Sequence, residues 1–278
     1  MRALQSLENQ ALGTRYVLAI ATGLAVTRPD LAIMVATGDG DALSIGGNHL
    51  IHALRRNVNI TILLFNNRIY GLTKGQFSAT ADKGSTSKRG AVNADSPVEL
   101  VDLALQMGAT FVARSFSGDK AQMVPLIKAA MGHGGAAFID IISPCVTFNN
   151  HAGSTRSYDW VREHNEAVSR IDFMPQHSEI TAQCAPGEAI DVQQHDGSVL
   201  RLRKLHEGYD PTDRYAALSY MNAHHARGEV VTGLLYLDPV ATDLHLSLNT
   251  SDTPLNALGA AQLCPGSRAL EKINASLR

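Results

Sequence analysis

The chain has 278 residues, a formal net charge of -2 and a hydrophobic share of 45%. That length suits one large domain or a domain with an appendage, and that apolar share excludes general disorder. The near-neutral balance, with a sequence pI of about 6.6, excludes the basic excess expected of nucleic-acid and membrane-surface proteins.

The first apolar run, "YVLAIATGLAV" at residues 16–26, is too short to span a bilayer, and Glu8 lies inside what would be a leader. It reads as a buried helix feeding the next strand, and Pro29 ends it because proline restricts the residue before it. "LAIMVAT" at 31–37 is a continuous apolar run bounded by proline and glycine, the pattern of a strand buried on both faces. Apolar residues at helical spacing predict a helix over 43–57, and "ITILLF" at 60–65 is a second buried strand. Together they make a strand–turn–helix–strand unit with both strand ends at one edge of a parallel sheet. Residues 67–96 show no hydrophobic period and read as a long polar loop, a length that usually marks function. Alternation then resumes, with a helix at 98–107, a strand at 110–114, a helix at 120–131 and a strand at 137–142.

Beyond His151 the character changes. A short helix is expected at 157–168. A hairpin is expected over 189–205, turning at Asp196 and Gly197. A helix follows, capped by Thr212 or Asp213, and then a late strand at 229–238. The expected fold class is α/β, a mainly parallel sheet with helices on both faces. Residues 1–150 form the cofactor-binding domain, and residues 151–278 form an extension packing on the core or on a partner subunit.

The glycine-rich turn carries the chemistry. Asp39 stands where the first strand ends, and Asn67, 28 positions later, stands where the second ends. Magnesium wants six oxygens and takes one or two protein carboxylates, with phosphate oxygens filling other places. Asp39, Asn67 and the backbone carbonyl of Ile69 can therefore converge on one ion. Gly38, Gly40, Gly46 and Gly47 let backbone approach a phosphate, and the following helix offers N–H groups to it. A bare Gly-Asp-Gly is more often a tight turn. Here the spacing across strand, helix and strand is that of the thiamin diphosphate motif.

"GDGDALSIGGNHLIHALRRNVNITILLFNNRIYGLTKGQ", with "SPCVTFNNHAGSTRSYDWVREHNEAV", "YDPTDR", "VVTGLLYLD" and "LCPGS", resembles the β subunit of 2-oxoacid:ferredoxin oxidoreductases, the 2-oxoglutarate type above all. The resemblance runs over residues 17–278. It implies oxidative decarboxylation of a 2-oxoacid with coenzyme A to acyl-CoA and carbon dioxide, electrons passing to ferredoxin. It implies thiamin diphosphate, magnesium and one [4Fe-4S] cluster in the β subunit, and an α subunit supplying the activating glutamate. It assigns magnesium to Asp39, Asn67 and Ile69, and the cofactor to Gly38, Asp39, Gly40, Asp41, Asn67, Ile69, Gly71 and Leu72.

The chain departs from that family at the cluster. Of the family's four cysteine ligands only Cys145, in "SPC", is matched, and Cys184 and Cys264 lie in other contexts. One thiolate cannot hold a cubane that needs about four. The first fifteen residues are unlike the family, and a family histidine is replaced near Thr14, so the sequence reads as N-terminally truncated or altered. Two functions stand beside each other: an oxidoreductase β subunit, and a remnant that binds cofactor or α subunit without electron transfer. A third, a thiamin enzyme that needs no cluster, fits the motifs after Cys145 poorly.

Few and scattered cysteines argue against a disulfide framework and for a reducing cytoplasm. His49 and His52 share one helix face without a completing ligand, so they read as helix surface or partner contact. Arg55 and Arg56 read as a solvated or interface patch, and Trp160 as either an interface anchor or core. Lys74, just after the magnesium loop, either reaches the distal carboxylate of 2-oxoglutarate or is an ordinary surface lysine.

Overall fold

The structure, a computed structural model, describes residues 16–70, 75–86, 90–143, 182–193, 199–264 and 266–277. Gly71, Leu72, Lys74, Cys145, Trp160, the helix expected at 157–168 and the turn at Asp196 and Gly197 lie outside the described residues.

The strands are β1 (Met34–Gly38), β2 (Ile60–Asn66), β3 (Ile69–Tyr70), β4 (Gln76–Phe77), β5 (Phe111–Phe116), β6 (Ala136–Ile142), β7 (Ala189–Gln193), β8 (Val199–Lys204) and β9 (Glu229–Leu237). Seven of them form one sheet in the order β1-β2-β6-β5-β9-β8-β7. The pairs β1–β2, β2–β6, β5–β6 and β8–β9 are parallel, whereas β5–β9 and β7–β8 are antiparallel. The carboxyl ends of β1, β2, β6 and β5 therefore share one edge, which is where α/β sheets bind ligands.

Helices cover both faces. On one side, α1 (Val17–Thr27), α2 (Gly47–Arg55), α3 (Leu100–Gln106) and α5 (Arg214–His225) pack their apolar residues against Val35, Ile62, Leu64, Val112, Phe138 and Leu235. On the other, α4 (Lys120–Met131) lies over Leu63, Ala113, Ala137 and Ile139. The alternation of β2 shows the division: Ile60, Ile62 and Leu64 join the first core, and Leu63 joins the second. The near-continuous apolar runs of β2 and β6 are the consequence of burial on both faces, while β5, equally buried, carries Arg114 and Ser115.

The sheet does not stop at residue 150. β9 pairs with β5 and places Val231, Leu235 and Tyr236 in the main core, with Ala217 and Met221 of α5 beside them. Asp213 caps α5, its carboxylate accepting from the Tyr215 and Ala216 N–H groups. Beyond β9 come the short helices α6 (Leu244–Leu248) and α7 (Ala260–Leu263), then α8 (Ser267–Ser276).

Several boundaries differ from the sequence expectation. β1 starts at Met34, because Leu31 N–H bonds Arg28 O and keeps the Pro29 segment in a turn. The helix expected at 43–57 is two segments. A π-helical turn, Gly40–Ile45, closes with Gly46 N–H on Asp41 O at 2.8 Å, and α2 follows. The expected loop at 67–96 is more ordered than its composition implies. It contains the β3–β4 hairpin and a bridge between Thr86 and Val92, both held largely by backbone bonds that leave no hydrophobic period. No helix among the described residues is long and apolar enough to cross a membrane.

Candidate functional site

The carboxyl ends of β1 and β2 bring together the residues that the spacing singled out. Asp39 follows β1 directly and is 1% exposed. Its Oδ1 accepts the Asn67 backbone N–H at 3.4 Å across 28 positions of sequence. Asn67 turns its own Oδ1 onto the Ile69 N–H at 3.1 Å, so the three residues assigned to magnesium form one contiguous cluster. A parallel register makes this convergence unavoidable: Gly38 pairs with Phe65, and each chain leaves the sheet one or two residues later.

The other oxygen of Asp39 is held by two hydroxyl groups. Ser78 Oγ and Thr80 Oγ1, the latter at 2.5 Å, both donate to Asp39 Oδ2. Thr80 Oγ1 also lies 3.1 Å from Asn66 Oδ1. Ser44 Oγ accepts the Ala79 N–H at 3.0 Å, pinning this segment to the π-turn that follows Asp39. Ser78 and Thr80 escaped the sequence reading. The only available signal was their two-residue spacing, which puts both side chains on one side of an extended chain.

The glycines divide in role. A Cβ on Gly38 would meet only Asp41 Oδ2, at 4.0 Å, so this position is open. At Gly40 a Cβ would come within 2.5 Å of the Tyr70 ring, and Tyr70 Oη donates to Gly40 O at 3.0 Å. The missing side chain at Gly40 thus admits an aromatic ring. The helical turn that opens at Gly40 directs its first backbone N–H groups to this same edge, an arrangement that favours an anion.

These residues suit a hard cation and a diphosphate. A carboxylate, an amide oxygen and a backbone carbonyl are the all-oxygen donors that magnesium takes, and a buried carboxylate calls for compensating charge. Among the described residues no group of three His, Cys, Asp or Glu side chains could hold a metal. Cys184 is half-buried and Cys264 exposed, both as free thiols. His49 packs its ring 5.6 Å from that of Tyr16 on the α2 surface.

A buried arginine–aspartate pair is joined by the half-buried Glu99 into an ion triad. Arg114 Nε donates to Asp140 Oδ2 at 2.7 Å, and its Nη2 donates to both Glu99 oxygens at 2.9 Å. Burial opposes the Arg114 charge, but Glu99 and Asp140 outweigh it and raise its pKa above the ordinary value.

The family described as "Thiamine pyrophosphate enzyme, C-terminal TPP binding domain" matches residues 5–141. The chain is 56% identical over 176 residues to the 2-oxoglutarate oxidoreductase subunit KorB of Mycobacterium tuberculosis, covering 63% of this chain and 45% of that protein. It is 34% identical over 197 residues to the 2-oxoglutarate synthase subunit KorB of Methanocaldococcus jannaschii, covering 68% of this chain and 72% of that protein. In structure it resembles the 2-oxoglutarate:ferredoxin oxidoreductase of Magnetococcus marinus solved with 2-oxoglutarate, coenzyme A and succinyl-CoA. The TM-score is 0.63 at 33% identity, over 85% of this chain and 66% of that one. The chain thus spans less than half of the mycobacterial relative.

Proposed function

The chain belongs to the family of KorB-type β subunits of 2-oxoacid:ferredoxin oxidoreductases, and from that membership we propose that it binds thiamin diphosphate with magnesium and serves the oxidative decarboxylation of a 2-oxoacid, 2-oxoglutarate in the first place. The observation that carries this reading is the buried Asp39 carboxylate drawn onto the Asn67 loop at the shared strand edge. In this reading the Asp39 and Asn67 side chains and the Ile69 carbonyl hold the cation. Gly38, Gly40, Asp41, Gly71 and Leu72 line the diphosphate. Bound thiamin diphosphate supplies the electron-withdrawing ring that lets a 2-oxoacid lose carbon dioxide. Two electrons then pass singly to ferredoxin, and coenzyme A takes the acyl group.

An α subunit completes the site and contributes the activating glutamate, all in a reducing cytoplasm. Residues 151–278 would present part of the surface that meets it. Supporting this is the apolar exposure along their last helices, with Leu246, Leu270, Ile273 and Leu277 all open to solvent. Lys74 would pair with the distal carboxylate of 2-oxoglutarate. Replacing it with alanine is then expected to raise KM for 2-oxoglutarate more than for pyruvate, which has no distal carboxylate to lose a partner.

Titration calorimetry with magnesium and thiamin diphosphate, α subunit present, tests the central assignment. Asp39→Ala is expected to abolish binding, and unchanged affinity would remove Asp39 from the site. A second reading is favoured by cysteine content. With three cysteines in all, the chain has fewer thiolates than the roughly four a cubane takes. It would then bind cofactor or α subunit and pass no electrons.

A further inference from the structure

We infer that Ser78 and Thr80 are positioning residues for the cation-binding carboxylate, fixing which oxygen of Asp39 faces the ion. The inference rests on the reading of Asp39 as a magnesium ligand. Each hydroxyl has a single proton to give. The two hydroxyl oxygens also lie 3.0 Å from each other, and Thr80 Oγ1 lies 3.1 Å from Asn66 Oδ1, but both of those acceptors are neutral. The charged carboxylate is the stronger acceptor and the nearer one, at 2.5 Å from Thr80 Oγ1, and takes both protons. Oδ2 is then saturated by two charge-assisted bonds. Oδ1 accepts, among the described residues, only the Asn67 N–H at 3.4 Å, so it keeps lone pairs for a metal.

The arrangement matters because magnesium demands near-ideal octahedral geometry. A carboxylate free to rotate would present either oxygen, or both, and lose that geometry part of the time. Ser78 and Thr80 are themselves buried, at 6% and 5% exposure, so water is a poor substitute for their protons. Their backbone is also anchored. Ala79, between them, bonds Ser44 through its N–H and Val98 through its carbonyl. The residues before β3 and after β4 are thereby tied to the two oxygens of one side chain: Asn67 on Oδ1, Ser78 and Thr80 on Oδ2. The hairpin between them carries Ile69, the third proposed ligand.

The test measures Mn2+ binding to the full chain, α subunit and thiamin diphosphate present, read from the EPR signal of free Mn2+. Thermal melts by circular dichroism run alongside. Ser78→Ala and Thr80→Val are each expected to weaken Mn2+ binding by about tenfold or more, the scale of one hydrogen bond to a charged group. Thr80→Ser should return most of the affinity, because it restores the hydroxyl and not the methyl group. Asp39→Asn serves as the control for the underlying reading and should remove binding. Wild-type affinity in Ser78→Ala and Thr80→Val, with binding lost in Asp39→Asn, overturns the positioning role and leaves the ligand role standing. Failure of Thr80→Ser to rescue assigns the loss to packing and also overturns it. Mn2+ binding unaffected by Asp39→Asn, or absent from the wild type, overturns both. Should Thr80→Val fail to fold, Ser78→Ala decides on the same oxygen with the loss of one hydroxyl only.

Discussion

Gly40 shows how a single missing Cβ shapes the candidate site. Any side chain there meets the Tyr70 ring at 2.5 to 2.8 Å, so Gly40→Ala must push the ring away and break the Tyr70 Oη bond to Gly40 O. Such overpacking costs about 1–3 kcal/mol, and urea titration should show that loss together with weaker thiamin diphosphate binding. An alanine variant as stable as the parent would mean that Tyr70 moves freely. The cysteines lead to another expectation at this scale. Anaerobic reconstitution of the 278-residue chain, followed by iron and sulfide analysis, should find fewer than the four irons of a cubane, given its three cysteines. Four irons per chain with a reduced-cluster EPR signal would restore the electron-transfer role.

Between elements, the Arg114 triad couples β5, β6 and the entrance to α3. Arg114 and Asp140 are neighbours in register, and Glu99 is the residue before α3. Both Arg114 and Asp140 are almost fully buried, at 4% and 1% side-chain exposure. Removing one charge from such a pair leaves the other uncompensated and costs about 3–5 kcal/mol, whereas replacing both with apolar residues of similar size costs far less. Arg114→Met should therefore destabilise the chain more than the double variant Arg114→Met/Asp140→Leu does. Denaturant midpoints of the two would decide, and a double variant no better than the single one would show that the triad is needed as ions. A similar logic governs β9. Glu229 accepts two bonds from Arg203, at 2.7 and 2.9 Å, and one contact from His224 Nδ1 at 2.6 Å. The Arg203 bonds first, then the His224 contact, lower its pKa to about 2 from 4.5. A carboxylate depressed in the folded state stabilises it above the ordinary range. That contribution fades as pH falls from about 4.5 toward about 2. Glu229→Gln should flatten the acid limb of the stability curve between those values, and an unchanged limb would show that other carboxylates set it.

For the whole molecule, the pairing of β9 with β5 decides what can fold alone. A chain cut after residue 150 would leave β5 with an open edge and uncover the core where Ala217, Met221, Val231 and Leu235 now pack. Sedimentation and circular dichroism are expected to find it aggregated or molten, because open apolar edges pair with other chains. A monomeric, cooperatively melting fragment would contradict that. The sequence by itself determined the βαβ unit, since a strand–helix–strand order favours a parallel pair. Of its two apolar strands only β2 is buried on both faces, whereas β1, at the sheet edge, exposes Met34 and Ala36 and buries Val35 and Thr37. The parallel order is enough to bring Asp39 and Asn67 to one edge without any knowledge of the rest of the fold. The helix at Lys120–Met131 was legible end to end because Asp119 caps it and Gly132 stops it. Only the tertiary structure decided the partners of Asp39. Ser78 and Thr80 sit in a stretch whose order comes from backbone bonds and buried polar contacts, which leave no periodic trace in composition. It also decided that β9, about ninety residues beyond β6, inserts antiparallel beside β5. Long-range pairing of that kind depends on which apolar faces remain uncovered after the local units form, and no local pattern in the chain encodes it.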